Sequence, residues 1–274
     1  MIAGDVPEGV LAAVKLAGLD SVDGAFAYEG GEDLNKPGLG HRRRTRLELP
    51  DGRGGEQVLY MKRYGPQSIG EAMRRWLTHG KRQSPARVEF ENIRRARQAG
   101  VATMREVACD EDRCLLGALR SFVIVTSVSG EALERCFDAY LTKHDDAAVA
   151  ELTSRLTRMV RSLHGAGYVH RDFYASHVFL DESVGSGELY LIDLARMFRP
   201  RLRKRRWFVK DLAQLKYSMP AAWTVGHWPA LLAEYLGDVS RGEQRKWEGL
   251  IDRKVESMRH RDQRRRRRGE EGKT

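Results

Sequence analysis

Four ionisable residues of this 274-residue chain stand where chemistry on a phosphate would need them. Asp172 closes the tripeptide His170-Arg171-Asp172 within YVHRDFYASHVFLDE at 168–182. Asp193 follows the apolar run that opens LYLIDLARMF at 189–198. Lys62 lies near the end of EQVLYMKRY at 56–64, and Glu89 lies early in the charged, periodic segment 86–99. Phosphoryl transfer asks little covalent work of a protein. It asks for positive charge on the phosphates, a carboxylate for a divalent metal, and a carboxylate near the attacking hydroxyl. A lysine fixed on a strand, oriented by an inward-facing glutamate, supplies the first. An aspartate ending a strand supplies the second, and an aspartate in a loop supplies the third. Taken singly, each residue has a plainer explanation: a solvated strand lysine, a glutamate favoured near a helix start, a turn aspartate, a chance tripeptide. The reading rests on their conjunction, in this order and each on the element the chemistry requires.

Those elements can be read from the pattern. LGHRRRTRLEL (39–49) and EQVLYMKRY (56–64) predict two strands joined by Pro50-Asp51-Gly52 with Gly54 and Gly55. Alternation puts Val58, Tyr60 and Lys62 on one face of the second strand. Val10, Val14 and Leu16 mark a short helix, and Ile69, Met73, Trp76 and Leu77 another at helical spacing. Ser84 and Pro85, as N-cap and first-turn proline, open a helix over 86–99 that stops at Ala99-Gly100. On it Glu89 shares the face of Ile93 and Ala96, whereas Glu91 shares a solvated face with Arg94, Arg95 and Gln98. SFVIVTSVSGEAL (121–133) predicts a buried strand that runs through a hinge-like Ser/Gly connection near 127–131 into a helix. Beyond it, Val149, Leu152, Leu156, Val160 and Leu163 form one stripe, with Asp145 or Asp146 as cap and Gly165 or Gly167 as stop. That helix delivers the chain into His170. The order predicts an α+β protein of two lobes with a cleft between them: 1–127, 128–262, and a basic, disordered tail over 263–274.

An apolar content of 41% excludes wholesale disorder. No run approaches the roughly 18–20 apolar residues that span a bilayer. The first twenty residues carry acids and no basic leader, unlike a signal peptide. Cys109, Cys114 and Cys136 lack metal-ligand spacing and read as reduced thiols of a cytoplasmic protein, with a Cys109–Cys114 disulfide as the alternative. The net charge of +10 gathers in HRRRTR (41–46), RPRLRKRRWFVK (199–210) and RHRDQRRRRRGEEGKT (259–274). Such clusters attract nucleic acid, anionic lipid headgroups or phosphorylated glycolipid, unless they serve only solubility.

The octapeptide HRDFYASH (170–177) resembles the lipopolysaccharide-core kinase family, the Kdo and heptose kinases of Gram-negative bacteria. That family is similar in fold to eukaryotic-type protein kinases but carries His-Arg-Asp-x-Tyr-x-x-His where those have an asparagine loop. EFENIRRARQAGVATMREVA (89–108) resembles its Glu-aromatic helix leading to Gly-Val-x-Thr. LIDLARM (191–197) resembles its Ile-Asp-Leu-x-Arg, and RRWFVKDLAQLKYS (205–218) its basic segment with Lys-Asp-Leu-x-x-Leu. SFVIVTSVSG (121–130) resembles its hinge strand. The resemblance runs from about Leu39 to about Trp223.

It implies a two-lobed protein-kinase-like fold and an ATP-dependent kinase acting on a sugar hydroxyl of the lipopolysaccharide inner core. Asp172 would be the base, with Arg171 and His170 completing its tripeptide. Lys62 and Glu89 would hold ATP, and Asp193 would hold Mg²⁺. His177 stands where a protein kinase places the asparagine that binds a second metal; imidazole suits hard Mg²⁺ poorly, so contact with a phosphate or with the Asp172 loop is the other expectation. Arg196 is expected to pair with Asp172, the nucleotide or an anionic acceptor, and Tyr174 and Asp211 to brace the loop. A full G-x-G-x-x-G loop is missing; Gly38 and Gly40 are its nearest candidates, and Arg42–Arg44 are either phosphate contacts or a solvated strand edge. The expected partners are an anionic glycolipid or sugar acceptor and the cytoplasmic membrane face; nucleic acid is not. The rival readings are a kinase of the same fold acting on protein Ser, Thr or Tyr or on another small molecule, and a non-catalytic nucleotide- or nucleic-acid-binding scaffold. Retention of Lys62, Glu89, Asp172 and Asp193 argues against the scaffold.

Overall fold

A computed structural model describes residues 6–34, 42–51, 54–66, 68–79, 83–114, 117–183 and 187–271, without the side chains of 69, 72, 113–119 and 268–271. The chain forms two compact units. One comprises Met1–Val128 with Asp193–Arg199, the other Ser129–Ile192 with Pro200–Thr274.

The first unit contains α1 (Glu8–Leu16), α2 (Val22–Ala27), β1 (Glu32–Asp33), β2 (Arg42–Pro50), β3 (Glu56–Tyr64), α3 (Ile69–His79), α4 (Pro85–Gln98), β4 (Glu106–Cys114) and β5 (Gly117–Thr126). Its five strands form one antiparallel sheet in the order β1-β2-β3-β5-β4. The β2–β3 turn closes through Asp51, whose N–H donates to the Gly55 carbonyl and whose Oδ1 accepts from Gly55 N. Leu47, Leu59, Met61, Phe122 and Ile124 on the strands and Ile93 on α4 are wholly buried, so the helix closes the core over the sheet. Ser84 caps α4, its Oγ accepting from Arg87 N, and Pro85 occupies the first turn. Glu91 meets Arg95 and Arg87 on the outer face, at 2.7 and 3.3 Å.

Several expectations needed correction. The strand expected over 39–49 is β2, described from Arg42 to Pro50; residues 39–41, and with them Gly38 and Gly40, lie outside the described residues. β4 was not legible, because the run Asp-Glu-Asp-Arg at its centre hides the strand character of Val107 and Cys109; pairing with β5 stabilises it. Val10 and Val14 of α1 are buried, but Leu16 is 91% exposed, since it sits off their face. Helical spacing in α3 forecasts the helix and not its burial: Met73, Trp76 and Leu77 are exposed.

The second unit contains β6 (Glu131–Ala132), α5 (Leu133–Lys143), α6 (Asp146–Gly165), β7 (Val178–Asp181), β8 (Glu188–Leu191), α7 (Lys204–Ser218), α8 (Ala221–Gly226), α9 (Trp228–Leu236) and α10 (Arg241–Glu271). β6, β7 and β8 make a small antiparallel sheet. Asp145 caps α6 by accepting from Ala148 N, and Gly167 beyond its end takes φ 85. Val149, Leu152, Leu156, Val160 and Leu163 are buried along α6, and Trp223 Nε1 donates to Thr153 Oγ1 at 2.9 Å. Residues 263–271 continue α10 as helix instead of forming a disordered tail. Burial of Ile251, Val255 and Met258 anchors the helix upstream, and arginine is a good helix former, so elongation costs little.

Gly130 follows directly on the passage between units, with φ 84. A Cβ there would stand 2.1 Å from the Leu180 carbonyl oxygen on β7. Gly130→Ala should cost roughly 2–4 kcal/mol, combining left-handed backbone strain with the clash. A thermal midpoint within a degree of wild type would refute that account.

Candidate active site

In the first unit, β3, α4 and the segment after β8 converge on one ammonium. Lys62 Nζ lies 2.5 Å from Glu89 Oε1 and 3.3 Å from Asp193 Oδ1. Glu89 is wholly buried on the inner face of α4. Its second oxygen, Oε2, accepts from Tyr64 Oη at 2.8 Å. Asp193 also lies 3.7 Å from Arg44 Nη2. Burial by itself would lower the Lys62 pKa; the carboxylates of Glu89 and Asp193 outweigh it and raise the pKa, so the side chain is an ammonium at neutral pH. Burial, then Glu89, drives the Tyr64 phenol well above its ordinary pKa, so it stays a donor.

Asp193 takes a left-handed backbone conformation, φ 58 and ψ 58, and opens a 3₁₀ turn at Leu194–Arg196. Non-glycine residues hold that conformation at a cost and do so where the surroundings impose it. Asn92 on α4 holds the turn that follows, its Nδ2 donating to the carbonyls of Leu194 and Met197 at 2.9 and 2.7 Å. Arg196, third in the turn, is exposed. The sequence reading missed Tyr64 and Asn92. It left Arg44 between two roles, yet the register pairs Arg44 with Lys62 directly across the hairpin, which puts both on one face.

In the second unit, the loop after α6 is held by α7. Asp211 Oδ2 accepts from His170 N at 2.7 Å and its Oδ1 from Arg171 N at 2.8 Å. Farther along α7, Gln214 accepts from Phe173 N and Ser218 Oγ from Ala175 N. Asp211 thus braces the loop through two backbone amides. His170 is wholly buried, and its Nε2 donates to the Ile192 carbonyl at 2.9 Å, which ties the loop to the end of β8. Arg171 takes φ 75, with its guanidinium 5.6 Å from the Trp207 ring centre. Asp172 is partly exposed. Its own carbonyl accepts from Tyr174 N and from His177 Nδ1, at 2.9 and 2.7 Å. A carbonyl only accepts, so His177 Nδ1 carries the hydrogen, and a neutral ring keeps its lone pair on Nε2. His177 therefore makes the loop contact that was one of its two expected roles.

No group of three or more His, Cys, Asp or Glu suited to a metal exists among the described residues. Mg²⁺ does not need one, because it keeps several waters and takes one or two carboxylates beside substrate phosphates. Asp193, a hard oxygen donor 26% exposed and set among cations that attract phosphate, fits that use.

A family model described as the lipopolysaccharide kinase (Kdo/WaaP) family matches residues 41–235. The lipopolysaccharide core heptose(I) kinase WaaP of Pseudomonas aeruginosa is 32% identical over 183 residues, 65% of this chain and 66% of that protein. The kinase of the same description from Escherichia coli is 35% identical over 136 residues, 47% of this chain and 51% of its own length. The chain thus spans between about half and two thirds of the length of these curated relatives. A solved structure, WaaP in complex with acyl carrier protein, superposes with a TM-score of 0.65 at 26% identity, covering 89% of this chain and 95% of that one. The fold is therefore of the two-lobed kinase-like class.

Lys62→Met would leave the buried Glu89 carboxylate without its cation, a loss of about 3–5 kcal/mol. Because the folded pKa of Lys62 is raised, this stabilisation is complete below the unfolded value near 10.4 and is lost only as pH rises through the folded value. The wild-type minus Lys62→Met difference in thermal midpoint should hold constant from neutral pH upward and shrink only in the alkaline limb. A difference that vanishes near pH 8 would contradict the assignment.

Proposed function

Because the chain belongs to the lipopolysaccharide kinase (Kdo/WaaP) family, we propose that it is an ATP-dependent kinase that phosphorylates a sugar hydroxyl of the lipopolysaccharide inner core, on Kdo or heptose. The observation that carries this reading is the buried Lys62 ammonium held between Glu89 and Asp193. A buried ion pair is weak evidence for stability, since well-packed apolar residues of the same volume often do as well. It is better evidence for a site that needs a fixed positive charge.

In this reading Glu89 orients the ammonium, and Lys62 holds the α- and β-phosphates of ATP. Asp193 supplies the carboxylate for Mg²⁺, which when bound offsets the negative charge that builds on the phosphates. Asp172 accepts the proton of the sugar hydroxyl as its oxygen bonds to the γ-phosphorus and the bond to the ADP oxygen breaks. Asp211 keeps the Asp172 loop in place through the amides of His170 and Arg171. Arg196, exposed beside the Asp193 turn, contacts a phosphate or the anionic acceptor in this reading.

We place the enzyme at the cytoplasmic face of the membrane that carries its acceptor. Among the described residues no helix is long and apolar enough to cross a membrane. α3 instead combines exposed Met73, Trp76 and Leu77 with Arg74, a composition that suits a bilayer interface with anionic lipid. The exposed arginines of 199–206 add attraction to the same lipids. Acyl carrier protein, the companion of WaaP in the superposed structure, is a candidate partner of this chain as well.

Asp172→Ala should lower acceptor-dependent ATP turnover by about 10²–10⁴-fold, the usual worth of a positioned general base, and leave ATP binding in place. Turnover that survives the substitution, or that ignores a lipopolysaccharide-core acceptor, would remove the reading. Replacing Trp76 and Leu77 by serine should release the protein from phosphatidylglycerol vesicles in a sedimentation assay. Unchanged sedimentation would take α3 out of the membrane contact.

A further inference from the structure

The arginines of HRRRTR (41–46) divide by position. On β2, alternation sends Arg42, Arg44 and Arg46 to one side and Arg43 to the other. Arg46 pairs with Glu48 at 2.6 Å, and the Arg42 guanidinium lies 5.0 Å from the Tyr64 ring centre. Arg43 is exposed. Arg44 stands directly across the hairpin from Lys62, and its Nη2 is 3.7 Å from Asp193 Oδ2. Lys62 Nζ is 3.3 Å from the other oxygen of that carboxylate, Oδ1. Both oxygens of Asp193 therefore face a cation, and two like charges are held beside one carboxylate.

The two cations are not held equally. Lys62 is 11% exposed and is also bound at 2.5 Å to Glu89, which is wholly buried. Moving Lys62 would strand that buried carboxylate. Arg44 is 32% exposed, and its 3.7 Å contact exceeds the roughly 2.7–3.2 Å of a hydrogen bond. An ion pair of that length, open to water, is weak. A phosphate offers a guanidinium more, because its oxygens match the planar fork bidentately through charge-assisted hydrogen bonds. Arg44 is thus the cation that can change partner at little cost.

We infer that Arg44 is an exchangeable guard on Asp193. Without nucleotide its guanidinium covers Oδ2, the oxygen that Lys62 leaves. When a triphosphate enters beside Lys62, Arg44 turns to the phosphates and releases that oxygen to the metal. The residue therefore acts with opposite signs, favouring nucleotide and disfavouring metal bound alone. The identity of the nucleotide as ATP, and of Asp193 as the metal carboxylate, rests on the kinase reading.

Isothermal titration of the purified full chain tests it. In EDTA, the non-hydrolysable analogue adenylyl imidodiphosphate should bind Arg44→Gln about tenfold or more weakly than wild type, and adenosine should bind both alike. Arg44→Lys keeps the charge but not the fork, should fall between, and serves if Arg44→Gln does not fold. Arg43→Gln, on the opposite side of the same strand, should match wild type. Mg²⁺ titrated without nucleotide should bind Arg44→Gln several-fold more tightly than wild type, because a competing cation has gone. Unchanged analogue affinity in Arg44→Gln would return Arg44 to a solvated strand edge and overturn the guard. An equal loss in Arg43→Gln would reveal a diffuse field, and a parallel loss of adenosine would reveal a damaged site; either overturns it. Unchanged or weaker Mg²⁺ binding by Arg44→Gln would also overturn it. Wild type that binds no analogue would remove the ATP reading, and the guard with it. Wild type that binds the analogue beside an indifferent Arg44→Gln would remove the guard alone.

Discussion

A buried ammonium is among the most demanding things a protein can contain, and the first unit is organised around the one on Lys62. Its Nζ can remain charged only if carboxylates replace the water it has lost. Glu89 supplies one from a helix, which requires α4 to be capped at Ser84 and packed on the sheet through Ile93. Asp193 supplies the other from a distant part of the chain, which requires the turn that Asn92 pins. Moving any of these would strand a charge. Asp193 takes left-handed backbone at that point of the chain, where its carboxylate meets Lys62 and Arg44.

The second unit meets a parallel requirement by different means. Its loop between α6 and β7 has little regular secondary structure to hold it. Asp211 therefore spends both oxygens on backbone amides of His170 and Arg171, and Gln214 and Ser218 from the same helix take two more. One face of α7 thus works as a rack for the loop. Its N-terminal half packs against α10 and lines a cavity with it.

Charge in this protein is consequently of three kinds. Lys62, Glu89 and Asp193 are bound to one another in a desolvated cluster. Pairs such as Glu91 with Arg95 lie on the outside and are worth a few tenths of a kcal/mol each. Arg206 and Arg253 are exposed on α7 and α10, and among the described residues no carboxylate pairs with them. The net +10 alone does not distinguish these three.

Local pattern by itself determined much of this molecule. Ser84-Pro85 set the start of α4, the 3.6-residue period turned Glu89 inward and Glu91 outward, and the Asp145 cap and apolar stripe marked α6 as the approach to His170. These are short-range properties, written within a few residues of where they act. Tertiary structure decided the rest. β4 is a strand because β5 lies beside it, although its central acids disfavour one. Leu16, Met73, Trp76 and Leu77 are exposed because no neighbour reaches their faces, which periodicity cannot reveal. The roles of Tyr64 and Asn92 exist only once Glu89 and the turn after Asp193 have been brought to them. The cavity of α7 and α10 joins residues about forty positions apart. No local pattern encodes such a meeting, because it arises when packing, rather than propensity, selects which side chains share a space.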